Sequence, residues 1–398
     1  MKFGRAIAAT LSIALLSSTP AFSAVKAGAT CKKIGTIKVS KGKTYTCIKS
    51  GKRLVWNKGV AIKTAAPAPT PTPSPIPTSS YPEEPKSLLD IKSYEQITYW
   101  AWKKSSDKIA NSESKINEVE ILIGPNSGIL NKDPLFATKL TSRLFSGYAQ
   151  PTKLTFLSYS YSDIDWAQNQ IEMFLDDKTL LEILQAPNRG GRDNARGTCP
   201  SVERCHSSQP FTNRAGKSLV IAGFTPSRLT NEGETKGELQ AHEFTHVIQQ
   251  HQFIASPREL EGLASIKQFA PWWLVEGGAD FGGFAAMNHT RYESYQGARM
   301  RDVLRTPKQS SEWFVKFINP DSNQYWIQFD SSGEIYNVGF MITEIFAALK
   351  GPDSQIELFR LIANGKTMDE AFETIFGMPW KTAVPLIAKL ISDERAKY

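Results

Sequence analysis

Histidine and cysteine are scarce in this sequence, five of one and four of the other in 398 residues. No cysteine stands in a C-x-x-C pair, which argues against a thiolate zinc site or a dithiol redox motif. The four fall instead as two close pairs, Cys31/Cys47 and Cys199/Cys205. Four cysteines allow three connectivities, and proximity favours 31–47 and 199–205, a disulfide pattern suited to an exported chain. Beyond the first two dozen residues no apolar run is long enough for a transmembrane helix. No internal repeat is visible. Acidic residues are missing from residues 24–63, which hold eleven Lys or Arg. Two more basic residues, Lys2 and Arg5, precede that stretch, so the net charge of +8 hides a remainder, 64–398, that carries −5. The excess of positive charge is therefore local, and the larger part of the chain is not built to bind nucleic acid.

What is present divides the chain. The opening "MKFGRAIAATLSIALLSSTPAFSA" has a charged start, an apolar run over Ala6–Leu16 and small residues around Ala21-Phe22-Ser23. These are the parts of a secretory signal cleaved after Ser23, and they predict an exported protein, secreted or associated with the cell envelope. Residues 24–64 form a small basic module with short β-like pieces at Thr36–Val39, Thr44–Ile48 and Arg53–Trp56, stapled by Cys31–Cys47 because so short a segment builds little core. Its unbalanced positive charge suits an anionic cell wall or membrane surface, or is simply a solvated face. Residues 65–85 hold eight prolines in 21 positions and predict a semi-rigid spacer.

The remaining region, 86–398, opens with a helix expected around Leu88–Lys108. Strands follow at Glu118–Gly124, at "KLTFLSYS" and at Lys217–Phe224, and helices at "PLFATKLTSRLFSGYA" and "DWAQNQIEMFLDDKTLLEIL". From there the pattern is helical to the end. The expected class is α+β with two lobes, the first mixed and the second mainly helical.

Within this region stands Gln240–Val247, "QAHEFTHV". On a helix, His242 and His246 share one face and can hold one metal ion together. Glu243 lies about 100° round the helix from His242, able to flank a bound water without ligating the ion. Thr235-Lys236-Gly237-Glu238 fits a capping box and predicts that the helix starts at Thr235. A catalytic zinc needs a third protein ligand and an open position. The extended pattern H-E-x-x-H-x-x-G-x-x-H fails, because Gln249 and Gln252 stand where Gly and His are needed and His251 is out of register.

The stretch Pro271–Phe281, "PWWLVEGGADF", supplies another answer. With H-E-x-x-H upstream, Trp273-Leu274-Val275-Glu276-Gly277-Gly278-Ala279 resembles the W-L-x-E-G-x-A motif of the gluzincins, the thermolysin-like and aminopeptidase-like zinc peptidases. The resemblance spans roughly residues 217–380 and implies a zincin-like fold, one Zn2+ per chain, ligands His242, His246 and Glu276, and Asp280 as the hydrogen-bond partner of His242. Gly277 and Gly278 each cost a helix roughly 1 kcal/mol relative to alanine, and with Ala279 they permit close helix approach. The chain departs from the family in two places. Val275 stands where thermolysin-like enzymes have an asparagine, and no G-x-M-E-N stretch of the aminopeptidases is present.

The implied activity is hydrolysis of a peptide or protein substrate, with Glu243 as general base. Tyr336 is the candidate donor to the tetrahedral oxyanion, with His206 and His289 as alternatives. The strand Leu219, Val220, Ile221, Ala222, Gly223 and Phe224 is expected at a sheet edge, where an extended substrate pairs by β-addition. The competing expectation is a non-catalytic cell-envelope binding protein that keeps a zincin-like fold without the reaction.

Overall fold

The computed structural model describes residues 26–40, 43–61, 81–174, 194–213, 215–258, 266–319 and 332–398. The expected signal over 1–23, residues 65–80 of the proline-rich segment and the second half of the helix expected over 165–184 lie outside the described residues. Described strands are β1 (Ile37–Ser40), β2 (Lys43–Ser50), β3 (Arg53–Trp56), β4 (Val60–Ala61), β5 (Glu118–Ile123), β6 (Lys153–Tyr159), β7 (Ser208–Thr212) and β8 (Ser218–Gly223). They form one mixed sheet in the order β3-β2-β1-β5-β6-β8-β7, with β4 on β2. Strands β5, β6 and β8 run parallel, and β7 closes the sheet antiparallel to β8.

Alternation along the parallel strands sends side chains to two cores. Leu154, Phe156, Val220 and Ala222 join the large core under the helical body. Leu157, Tyr159, Leu219 and Ile221 join a smaller one with both cysteines of the second pair. The helices of the first half are α1 (Tyr94–Ala110), α2 (Pro134–Leu144), α3 (Ile164–Phe174) and α4 (Asn194–Thr198). The second half is helical, as its pattern predicts: α5 (Glu232–Lys236), α6 (Glu238–His251), α7 (Trp272–Met287), α8 (Tyr292–Arg305), α9 (Ser311–Ile318), α10 (Ser332–Lys350), α11 (Ser354–Ala363), α12 (Met368–Phe376) and α13 (Trp380–Ala396). Both disulfides form as paired, Cys31–Cys47 and Cys199–Cys205. No described helix is long and apolar enough to cross a membrane.

Four expectations need correction. Strand β8 is not an edge: β6 and β7 flank it and all six of its residues are buried. The edge is β7, "SQPFT", whose Pro210 marks it, since proline is tolerated where a strand has a free side. The first long helix begins at Tyr94 rather than Leu88, because Asp90 accepts from the Ser87 N–H at 2.8 Å and closes a separate 3-10 turn over Leu88–Asp90. The basic module does not stand apart. Its β1 pairs antiparallel with β5, Ile37 opposite Ile121 and Lys38 opposite Glu120, and Val39 enters the large core. The fourth concerns the start of α6 and belongs with the site it positions.

Candidate metal centre

Helix α6 does not begin at Thr235. Asn231 caps the short α5 by accepting from Glu234 N–H, and Thr235 lies inside that turn. Gly237 then takes φ +116°, a conformation that other residues rarely adopt, and the chain restarts as α6 at Glu238. A Cβ there would also stand 2.7 Å from Asn131 Nδ2 and 2.8 Å from Ala137 Cβ. The kink aims α6 into the interior, where Gln240 and every residue from Glu243 to His251 are buried.

Helix α7 reaches α6 through its glycines. A Cβ on Gly283 would lie 3.2 Å from the His242 backbone nitrogen, and one on Gly282 would meet the Thr245 side chain. On its other side, Gly277 faces the backbone of Gly339 on α10 with no room for a Cβ. This close packing brings Glu276 to the two histidines. Its Oε2 lies 3.1 Å from His246 Nε2 and 3.9 Å from His242 Nε2, and the two imidazole Nε2 atoms are 3.1 Å apart. Tetrahedral bonds of about 2.0–2.1 Å put ligand atoms roughly 3.3 Å from one another, so this triangle has the size of a metal site. His242, His246 and Glu276 form a group that can bind a metal ion.

A second layer orients the donors. His242 Nδ1–H donates to Asp280 Oδ1 at 2.7 Å. Burial disfavours the His242 cation, yet Asp280, Glu243 and Glu276 outweigh it and raise the ring to about 9. Burial would likewise raise Glu276, but His246, Lys267 and His242 hold it well below the usual carboxylate range. The Lys267 ammonium lies 2.9 Å from Glu276 Oε1 and 3.0 Å from the centre of the Trp272 ring. His246 Nδ1 faces Gln249 Oε1 at 2.9 Å.

Glu243 takes no place in the triangle. It is 4% exposed and accepts from Ser208 Oγ on the edge strand. Its other oxygen, Oε2, is buried and has no partner among the described residues. A buried carboxylate oxygen left unpaired is costly, and one beside a three-donor triangle fits a site completed by a metal ion and its water.

The site opens into a cleft of about 930 Å³, lined by residues of β7, α4, α5, α6, α7, α8 and α10. Tyr336 on α10 lines it, its ring 6.1 Å from the His242 ring and near parallel to it. Burial, then Glu276, Asp280 and Glu243, raise the Tyr336 hydroxyl, so it is a proton donor at neutral pH. His206 is exposed on the cleft wall. His289 is outside the cleft, its ring bound to the Ala286 carbonyl at 2.8 Å. Leu219–Gly223 do not line the cleft; their backbone is used by β6 and β7, and Ser208, Gln209 and Pro210 line it instead.

Sequence patterns pick out the triangle, Glu243 and Asp280. Ser208, Gln249 and Lys267 go unread, although Pro210 in a short β-like run was a signal for the edge strand. No protein-family model matches the chain, and no curated protein matches it.

Proposed function

We propose that the protein is a secreted, zinc-dependent peptidase of the gluzincin type. The observation that carries this reading is Glu243: a buried carboxylate outside the His-His-Glu triangle but lining the same cleft, with one oxygen held by Ser208 and the other without a partner among the described residues. A metal site that only braces a fold has no use for such a group, whereas hydrolysis needs a base there. Two neutral imidazoles and one carboxylate suit zinc, and three ligands leave a position open.

When bound, the ion supplies Lewis acidity that activates water and polarises a carbonyl at neutral pH. Glu243 Oε2 takes the proton from the attacking water and later hands it to the leaving amine. Tyr336 donates its hydroxyl to the oxygen on which negative charge develops. The edge strand β7 is where an extended substrate aligns. Hydrogen bonds from Gly223 N–H to Ser207 and from Asn213 N–H to Lys217 fix the alternation, so Ser207, Gln209 and Phe211 face β8. Ser208, Pro210 and Thr212 then point outward, and of these Ser208 and Pro210 line the cleft. Pro210 has no N–H, and its carbonyl accepts from Gln250 at 3.3 Å. In the cleft Ser208 is left to pair with substrate backbone, and its side chain also positions the base. Export of the chain is part of this proposal and is supported by the two disulfides.

The test is hydrolysis of a generic protein substrate with and without chelator, with metal analysis on the same preparation. About one zinc per chain is expected. Glu243→Gln should keep the zinc and lose the hydrolysis; an active Gln variant would end the mechanism, and a wild type without zinc would end the proposal.

A further inference from the structure

Gln249 sits one turn beyond His246 on α6 and is 0% exposed. Its side chain spans two helices. Oε1 lies 2.9 Å from His246 Nδ1, and Nε2 lies 3.0 Å from the Val275 carbonyl oxygen on α7, one residue before Glu276. A backbone carbonyl only accepts, so the amide nitrogen must face Val275 and the amide oxygen must face the imidazole. That oxygen also only accepts. His246 must therefore carry a proton on Nδ1, which assigns Nε2, the atom beside Glu276 Oε2, to the metal. The backbone of the helix bearing the third ligand thus chooses the tautomer of the second.

The surroundings preserve this bridge. A Cβ on Gly278 would stand 3.3 Å from Gln249 Nε2 and would collide with Gln355 Oε1, so glycine keeps the amide layer open. The sequence pattern put no side chain in this role, because Val275 cannot orient a histidine. Its carbonyl does so through Gln249.

We propose that Gln249 is a positioning residue of the metal centre: it fixes the tautomer and rotation of His246 and holds α6 and α7 in the register that joins Glu276 to the histidines. This rests on the metal-site reading above. Asp280 orients His242 with a charged acceptor, whereas Gln249 is neutral and works by bridging.

The test is Gln249→Met, which keeps nearly the same volume and removes both hydrogen bonds. Chelator competition should give a zinc affinity lower by roughly ten- to a hundredfold. The Co2+-loaded variant should have an altered visible spectrum, since that spectrum reports ligand geometry. A variant that folds, binds zinc like the wild type and gives the wild-type Co2+ spectrum would overturn the role of Gln249 alone. A wild type that takes up neither metal would overturn the metal reading and this role with it. If Gln249→Met does not fold, nitrogen-15 NMR of the zinc-loaded wild type decides. A proton on His246 Nδ1 supports the bridge, and a metal-bound Nδ1 with the proton on Nε2 refutes it.

Discussion

Lys267 divides the labour between the two oxygens of Glu276. With an ammonium at Oε1 and the histidines at Oε2, the carboxylate is arranged to offer a metal one oxygen rather than two. Tyr336 is not a donor of the triangle, although its hydroxyl hydrogen-bonds to Glu276. Tyr336→Phe should lower kcat by roughly 10²–10³ with zinc content and KM little changed; a large loss of zinc instead would make it a structural neighbour. His251 offers a measurement independent of catalysis. Buried beside Ser218 at 3.1 Å, its ring is lowered by burial to about 4 from an ordinary 6.5. Between those values the unfolded chain binds more protons than the folded one, so stability is retained above the upper value and lost as pH falls toward the lower. His251→Gln should flatten the fall, which this group steepens by up to ~1.4 kcal/mol per pH unit. Urea midpoints compared at about pH 7 and about pH 4.5 would read the difference, and equal slopes in both proteins would count against it. At this scale the sequence was legible where chemistry follows helical spacing: His242 to His246, and Glu276 to Asp280. Ser208 and Lys267 reach the site from separate elements, and no local spacing announces them. Gln249 lies in the helix itself, but its role depends on a carbonyl of another helix.

Helix α7 is an element whose local preferences oppose its structure. Gly277, Gly278, Gly282 and Gly283 weaken it as a helix, yet backbone leaves no room for a Cβ at Gly277, the Gln355 and Thr245 side chains crowd one at Gly278 and Gly282, and α6 backbone lies 3.2 Å from one at Gly283. Gly277→Ala would press on the Gly339 backbone and should cost about 1–3 kcal/mol or more, with weaker metal binding as α7 is displaced. Gly297→Ala on α8 is the matched control. That glycine is exposed with nothing within 4 Å, so alanine should stabilise by up to ~1 kcal/mol. Paired thermal melts check both, and similar shifts in the two would refute the packing account. The start of α6 departs from its sequence pattern for a related reason. Thr235 and Glu238 have capping-box spacing, but Asn231 and Glu234 have the same three-residue spacing and take the cap first. Only the left-handed Gly237 between them reveals that one helix is two.

On the scale of the whole molecule, composition located the proline-rich segment and the basic module but not the pairing between β1 and β5, because strand partners distant in sequence leave no local pattern. Lys38 and Glu120 approach to 3.5 Å across that seam, and Val39 is buried beside it. A chain starting at Tyr81 would bare the edge of β5, a template for association. It should aggregate more and melt lower than the longer chain while keeping its zinc affinity, as light scattering, melting curves and chelator competition would report; a monomeric, equally stable truncation would show the seam to be dispensable. The seam also bears on what cleavage of the chain would do. Val60–Ala61 pair with β2 in the sheet, and Tyr81 stacks on Tyr99 of the same body. Because β1 is hydrogen-bonded to β5, a protease cutting the chain between Ala61 and Tyr81 would leave both pieces held together in one particle.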